Sequence, residues 1–145
     1  IRRLGLIDDG VPYVVPVSYA YYDGAIYGHS APGRKARALR SHPEVCFEVE
    51  DVESLTEWRS VIAWGTFEQL LGDEAARGMD RLIARFRPML APGAGHPGGD
   101  LGMMQMHGIL EKDRAPAEAD VPVGAVVFRV TLHTLGGRAE GSGSA

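Results

Sequence analysis

Pro12-Tyr13-Val14-Val15-Pro16-Val17-Ser18-Tyr19-Ala20-Tyr21 is dense in valine and tyrosine, the residues that suit a pleated, half-buried surface. Two prolines interrupt it. Neither can donate to a strand ladder, so a central position at both is excluded, and the run either lies at a sheet edge or bulges at Pro16. Turn signals stand on both sides, Asp8-Asp9-Gly10 before it and Tyr22-Asp23-Gly24 after it. Beyond them Arg3–Ile7 and Ala25–His29 have strand character. The first thirty residues therefore read as a meander of hairpins.

Working outward, Ala31-Pro32-Gly33 leads into a short helix, Arg34–Arg40, which His42-Pro43 ends. Val45–Glu50 is a strand. Trp58–Leu71 is a long, mainly β run that places Val61, Ala63, Gly65 and Phe67 on one side and Ile62, Trp64, Thr66 and Glu68 on the other. Gly65 is its expected bend. Asp73 reads as the N-cap of a second helix reaching Phe86, with Met79, Leu82, Ile83 and Phe86 on one face and Pro88 as its stop. Ala91–Gly102 is rich in glycine and proline and reads as a loop; Met103–Leu110 is an element of undecided type; Val121–Leu132 is the last strand.

Strands dominate and helices are few, so the expected class is mainly β: a β-barrel with a few helices, which leaves little exposed edge. Regular βαβ alternation is missing, which argues against a doubly wound dinucleotide-binding sheet. One domain is expected over residues 1–135, with 136–145 as a flexible tail. The chain opens at Ile1 without a methionine, so a preceding segment is expected.

The 145 residues, 45% hydrophobic and 23% charged, suit a globular domain that can bury its own core. The single cysteine, Cys46, allows no internal disulfide and points to a reducing, cytoplasmic setting. Its neighbours Val45 and Phe47 mark it as a small buried hydrophobe rather than a reactive thiol. A net charge of −4 and the lack of a Lys/Arg run argue against nucleic acid, and no apolar stretch approaches membrane-helix length. The five histidines show no metal-ligand spacing, so no metal is expected.

The segment richest in chemistry is His29-Ser30-Ala31-Pro32-Gly33-Arg34-Lys35. It joins a strand to a helix start, where unpaired N–H groups and a positive dipole end attract phosphate. Gly33 admits close approach of an anion, Ser30 offers a hydroxyl, and Arg34 and Lys35 offer charge. The alternative is an ordinary helix start with exposed basic residues. A Walker loop is excluded by the spacing.

Gly5-Leu6, Pro12–Ser18, Ile26–Ser30, Gly33-Arg34-Lys35, Val45–Val49 and Trp58–Ile62 with Gly65, in this order and spacing, resemble the pyridoxamine 5′-phosphate oxidase-like flavoproteins, in particular their nitroimidazole-reductase-like branch. The resemblance covers roughly the first 70 residues. It implies an FMN-binding split β-barrel that forms a homodimer with the cofactor at the subunit interface. By motif, Pro16, Val17 and Ser18 would line the isoalloxazine, mostly through backbone, and His29 and Ser30 would flank the ring and ribityl chain. Arg34 and Lys35 would hold the phosphate, Ser60 would approach the flavin from the partner subunit, and Arg59 would add charge nearby. His29 reads either as a structural histidine or as the catalytic group contacting substrate above the ring. The expected activity is reduction of a small electrophile, a nitroaromatic for example, with electrons from a reduced nicotinamide. The alternatives are a non-catalytic flavin sensor or carrier, or the same barrel holding haem or a deazaflavin.

Overall fold

A computed structural model describes residues 2–90 and 124–141. Seven strands and two helices follow one another as β1 (Arg2–Asp8), β2 (Val11–Pro16), β3 (Tyr19–Tyr22), β4 (Ala25–Ser30), α1 (Arg34–Ser41), β5 (Glu44–Ser54), β6 (Glu57–Gln69), α2 (Gly72–Phe86) and β7 (Val126–Glu140). A short 3-10 turn, Arg87–Leu90, follows α2. The Ala91–Gly102 loop and the Met103–Leu110 element lie outside the described residues.

All strand pairs are antiparallel, in the order β2-β1-β5-β6-β7-β4-β3. The two outermost strands are consecutive in the chain, separated by Val17-Ser18 alone. That short link draws the two ends of the sheet together, so the sheet curls into a barrel split between β2 and β3. The proline-bearing run is thus both edges of one sheet. Pro12 and Pro16 sit on edge strand β2, where a missing N–H breaks no second ladder. The single strand expected over 12–21 is two, because the chain changes partner at Val17, whose N–H reaches the Arg2 carbonyl at 3.4 Å.

Two apolar clusters hold the fold. Inside the barrel Leu4, Leu6, Val15, Val17, Ile26, Leu39, Val45, Phe47, Phe67, Phe128 and Val130 are buried. Outside the β3-β4-β7 wall, α2 lays Ala75, Met79, Leu82, Ile83 and Phe86 on Ala20, Ala25, Tyr27 and Val127. β4 and β7 are therefore covered on both faces, which is why they carry near-continuous apolar runs rather than alternation. Each fully buried Leu, Val or Phe contributes on the order of 1.5–3 kcal/mol.

Two glycines are required by close approach. A Cβ on Gly28 would lie 2.3 Å from the Phe128 ring, and one on Gly65 would lie 2.4 Å from the Thr131 carbonyl oxygen. The pairing of β6 with β7 slips between Trp64 and Gly65, so the expected bend at Gly65 is a bulge there.

Three readings are corrected. The N-cap of α2 is Leu71, not Asp73: Asp73 and Glu74 lie inside the first turn, where their charge still favours the helix dipole, and Gly72 takes φ +53°. β7 continues to Glu140, eight residues past Leu132, because Gly136 to Glu140 pair with Ile62 to Trp58. Cys46 is only half-buried, since it shares the outer face of β5 with Trp64 of β6; burial, then Glu48, pushes its thiol pKa up.

Candidate functional site

The start of α1 carries no side-chain cap. Gly33 occupies the N-cap position in extended backbone, with no acidic residue in the first turn. A Cβ placed on Gly33 meets nothing within 4 Å. No acidic residue of the first turn itself offsets the positive dipole end, although the Asp8 carboxylate lies against Arg34 there. Gly33's carbonyl already begins the helix by accepting from the Arg37 N–H at 3.0 Å. Just upstream, Ser30 is buried at the end of β4 and its hydroxyl donates to the Ala31 carbonyl at 2.9 Å, which fixes the strand-to-helix turn.

The basic pair divides. Lys35 is half-buried on the first turn. Arg34 reaches away: its Nε donates to the Asp8 carboxylate at the β1-β2 turn, and its guanidinium lies 4.5 Å from the centroid of the Tyr13 ring. Asp8 raises the pKa of Arg34 further, first by the hydrogen bond and then by charge. Arg34 is thus partly neutralised before any ligand arrives. Arg34 is tied by Asp8 to the β1-β2 hairpin, and Lys35 stands on the first turn of α1.

Pro16 is exposed and Val17 turns its side chain into the barrel core, so Val17 faces any ligand only through backbone. The pairing Tyr19 with Gly28 puts Ser18 beside His29 one rung further on. Both are half-buried. Alternation along β4 sends Ala25 and Tyr27 toward α2 and Ile26 into the barrel. His29 continues the α2 side and Ser30 the barrel side. Ser18, His29 and Ser30 thus stand beside the split of the barrel, with Pro16 and Val17 just before it in the chain and Lys35 on the helix that follows β4.

Arg59 and Ser60 stand on β6, three strands across the sheet from Pro16. α1 meets β6 near its end, where Arg40 donates to Gln69 at 2.8 Å. Ser60 lies nine residues back from Gln69, and its neighbour Ile62 shares a row with Glu48, Arg3 and Pro16, about 15 Å across three strand spacings. The Arg59 and Ser60 side chains leave opposite faces of β6. Arg59 is bound to Asp51 at 3.1 and 2.8 Å, with Asp51 opposite it on β5. Ser60 shares its face with Ile62 and Trp64, which are 38% and 47% exposed, an apolar patch on the barrel's outside.

A second feature was not read from the sequence. A cleft of about 360 Å³ opens between α2 and the β3-β4-β7 wall, lined by Tyr22, Tyr27, Arg77, Arg81 and Arg129 among others. The i, i+4 spacing of Arg77 and Arg81 is the sequence signal for their shared helix face; Arg129 joins them only through the pairing of β7 with β4. No group of His, Cys, Asp and Glu that could hold a metal occurs among the described residues. No helix among them is long and apolar enough to cross a membrane.

Residues 1–94 match the family profile of pyridoxamine 5′-phosphate oxidase. The chain belongs to the pyridoxamine 5′-phosphate oxidase family. Among curated proteins, the uncharacterized protein RA0666 of Rhizobium meliloti (strain 1021) is 34% identical over 70 residues, 48% of this chain and 46% of that one. The matched region thus spans about half of that relative. Among solved structures of similar fold, a FAD-binding protein of Mesorhizobium loti is 26% identical with a TM-score of 0.62, covering 97% of this chain and 86% of the other. A 5-nitroimidazole antibiotic resistance protein of Bacteroides thetaiotaomicron is 19% identical with a TM-score of 0.60, covering 94% and 74%. This member of the pyridoxamine 5′-phosphate oxidase family is accordingly a mainly β split barrel.

Proposed function

We propose that the chain is an FMN-dependent oxidoreductase of the nitroimidazole-reductase-like branch. It reduces a small electrophile such as a nitroaromatic with electrons from a reduced nicotinamide. The observation that carries this reading is the helix start at Gly33: uncapped, without an acidic residue in its first turn and open where a Cβ would stand. Such an end suits a phosphate monoester. Its neighbours fit the rest of a flavin. Pro16 and Val14 offer an exposed apolar wall on β2, and the Val17-Ser18 link leaves strand backbone facing it. Flat apolar rings with polar edges want such walls and a few placed donors. The similarity to a FAD-binding protein over nearly the whole chain supports a flavin of this class.

Lys35 and the first-turn N–H groups would hold the phosphate, with Arg34 contributing once it leaves Asp8. Ser30 would fix the turn, and Pro16, Val17 and Ser18 would face the ring. His29, half-buried beside Ser18, would contact the substrate and is the candidate for proton delivery. The bound flavin would supply the hydride and electron transfer.

The active form is proposed to be a homodimer. Ser60 lies on the face of β6 that exposes Ile62 and Trp64. A second copy seated there would cover this patch and bring its Ser60 to the ring. The test is spectroscopic. Reduced nicotinamide should bleach the flavin, and a nitroaromatic should restore it catalytically. A protein that holds flavin but is not reduced by the nicotinamide, or not reoxidised by the nitro compound, is a carrier or sensor instead.

A further inference from the structure

The cleft between α2 and the barrel wall is far from exhausted by packing. On α2, Glu74, Arg77 and Arg81 fall on one stripe, because residues three and four apart share a helix face. Opposite them stand Tyr27 and Ala25 of β4 and Arg129 and Thr131 of β7, paired rung by rung. The β3-β4 turn closes one side with Tyr22 and Asp23, Asp23 taking φ +48° and Gly24 φ +73°, the backbone of a tight hairpin.

The cations here differ in how far they are committed. Arg129 is tied by its Nη2 to Glu68 at 2.5 Å, and Glu68 and then Tyr27 raise its pKa. Its Nε is buried with no acceptor among the described residues. Arg81 lies over two rings, 4.1 Å from the Tyr22 centroid and 4.3 Å from the Tyr27 centroid. Neither Arg81 nor Arg77 makes an ion pair among the described residues. Stacking on two rings holds the Arg81 guanidinium in place while leaving its in-plane donors for another acceptor. Its fork suits a phosphate or carboxylate. Asp23 and Glu74 line the same cleft and oppose an anion, so the site favours a small ligand seated against the arginines over a broad polyanion.

We propose that this cleft is a second anion site, which binds the phosphate or carboxylate of a small molecule through Arg77 and Arg81, with the Tyr22 ring beside it. It is separate from the helix start at Gly33: α1 packs on β1 and β6, whereas α2 packs on β3, β4 and β7. The proposal does not rest on the flavin reading.

The test is an NMR titration of the full chain with inorganic phosphate and, in parallel, with succinate, following the side-chain Nε–H signals of Arg77, Arg81 and Arg129. Saturable shifts confined to these arginines are expected with at least one probe, and the tighter probe names the group. Arg77→Gln is fully solvent-compatible and should weaken binding about threefold to tenfold, as should Arg81→Gln, each losing a charge-assisted partner at an open, screened site. Glu74→Gln should strengthen it. Arg87→Gln, which removes the same charge outside the cleft, should leave it unchanged, as should Lys35→Ala. Lack of saturation with both probes overturns the proposal. So does equal weakening in Arg87→Gln, which reports only net charge, or loss in Lys35→Ala, which moves the binding to the helix start.

Discussion

Replacing Gly33 by aspartate should make the protein more stable and worse at holding its cofactor. The backbone there is extended, a conformation any residue adopts, and a Cβ meets nothing within 4 Å, so the side chain enters without strain. Three gains follow in the folded, cofactor-free protein. Removing a glycine restricts the unfolded chain, worth about 0.4–1 kcal/mol. Aspartate caps better than glycine by a few tenths of a kcal/mol. A carboxylate at a helix N-terminus adds roughly 0.3–1 kcal/mol. The sum is about 1–2 kcal/mol, a rise in Tm of roughly 3–6 °C for a chain of this size. The same carboxylate would stand beside a phosphate. Two unit charges 4 Å apart repel by about 1 kcal/mol in water and about 4 kcal/mol at the effective dielectric of a protein surface. FMN affinity should therefore fall at least about fivefold. Gly33→Asn caps without the charge, so it should share the stabilisation and lose less affinity. Thermal melts of the cofactor-free proteins and fluorescence titrations with FMN read both quantities. A destabilised Gly33→Asp would refute the open N-cap, and unchanged FMN affinity would refute the phosphate assignment.

Four further outcomes are expected. Lys35→Ala and Arg34→Ala should each weaken FMN binding by about 1.5–3 kcal/mol, the worth of a hydrogen bond to a charged group; unchanged FMN titrations in both variants would remove the phosphate assignment. Gly28→Ala should destabilise by roughly 1–3 kcal/mol, seen as a lower urea midpoint, because the Phe128 ring that it meets is itself 2% exposed and has little room to move. Cys46 should alkylate more slowly at pH 8 than a free thiol, since its raised pKa leaves less thiolate, and Glu48→Gln should narrow that gap. Trp64→Glu should yield a folded monomer by light scattering with weakened flavin retention; a variant that remains dimeric would remove the proposed interface.

Much of the barrel was legible because strands such as β6 carry their own alternation. Ala63, Gly65 and Phe67 are buried and Ile62 and Trp64 exposed, as period two dictates for β6. The prolines at 12 and 16 announced an edge or a bulge. What they did not announce was that both edges belong to one run, because the change of partner at Val17-Ser18 is set by closure of the whole sheet and not by local propensity. The extension of β7 to Glu140 escaped for a related reason: Gly136 and Gly137 have little strand propensity and pair only because β6 offers a long exposed ladder. At the site, the helix start was readable from Gly33 and its neighbours. The tie between Arg34 and Asp8 was not, since the two are 26 residues apart and meet only when α1 packs on β1. The arginine cleft was hidden likewise: Arg77 and Arg81 declare themselves by spacing, but Arg129 and Tyr27 come alongside only through strand register.

The most telling measurement is the absorbance spectrum of the purified protein together with mass spectrometry of whatever small molecule it releases on denaturation. The expected result is a yellow protein with oxidised-flavin bands that releases flavin mononucleotide. A release of FAD would keep the flavin and change the nucleotide. A Soret band, a deazaflavin band, or a colourless protein that takes up no flavin mononucleotide offered in excess would contradict the reading of the Gly33 helix start as a flavin-phosphate cradle.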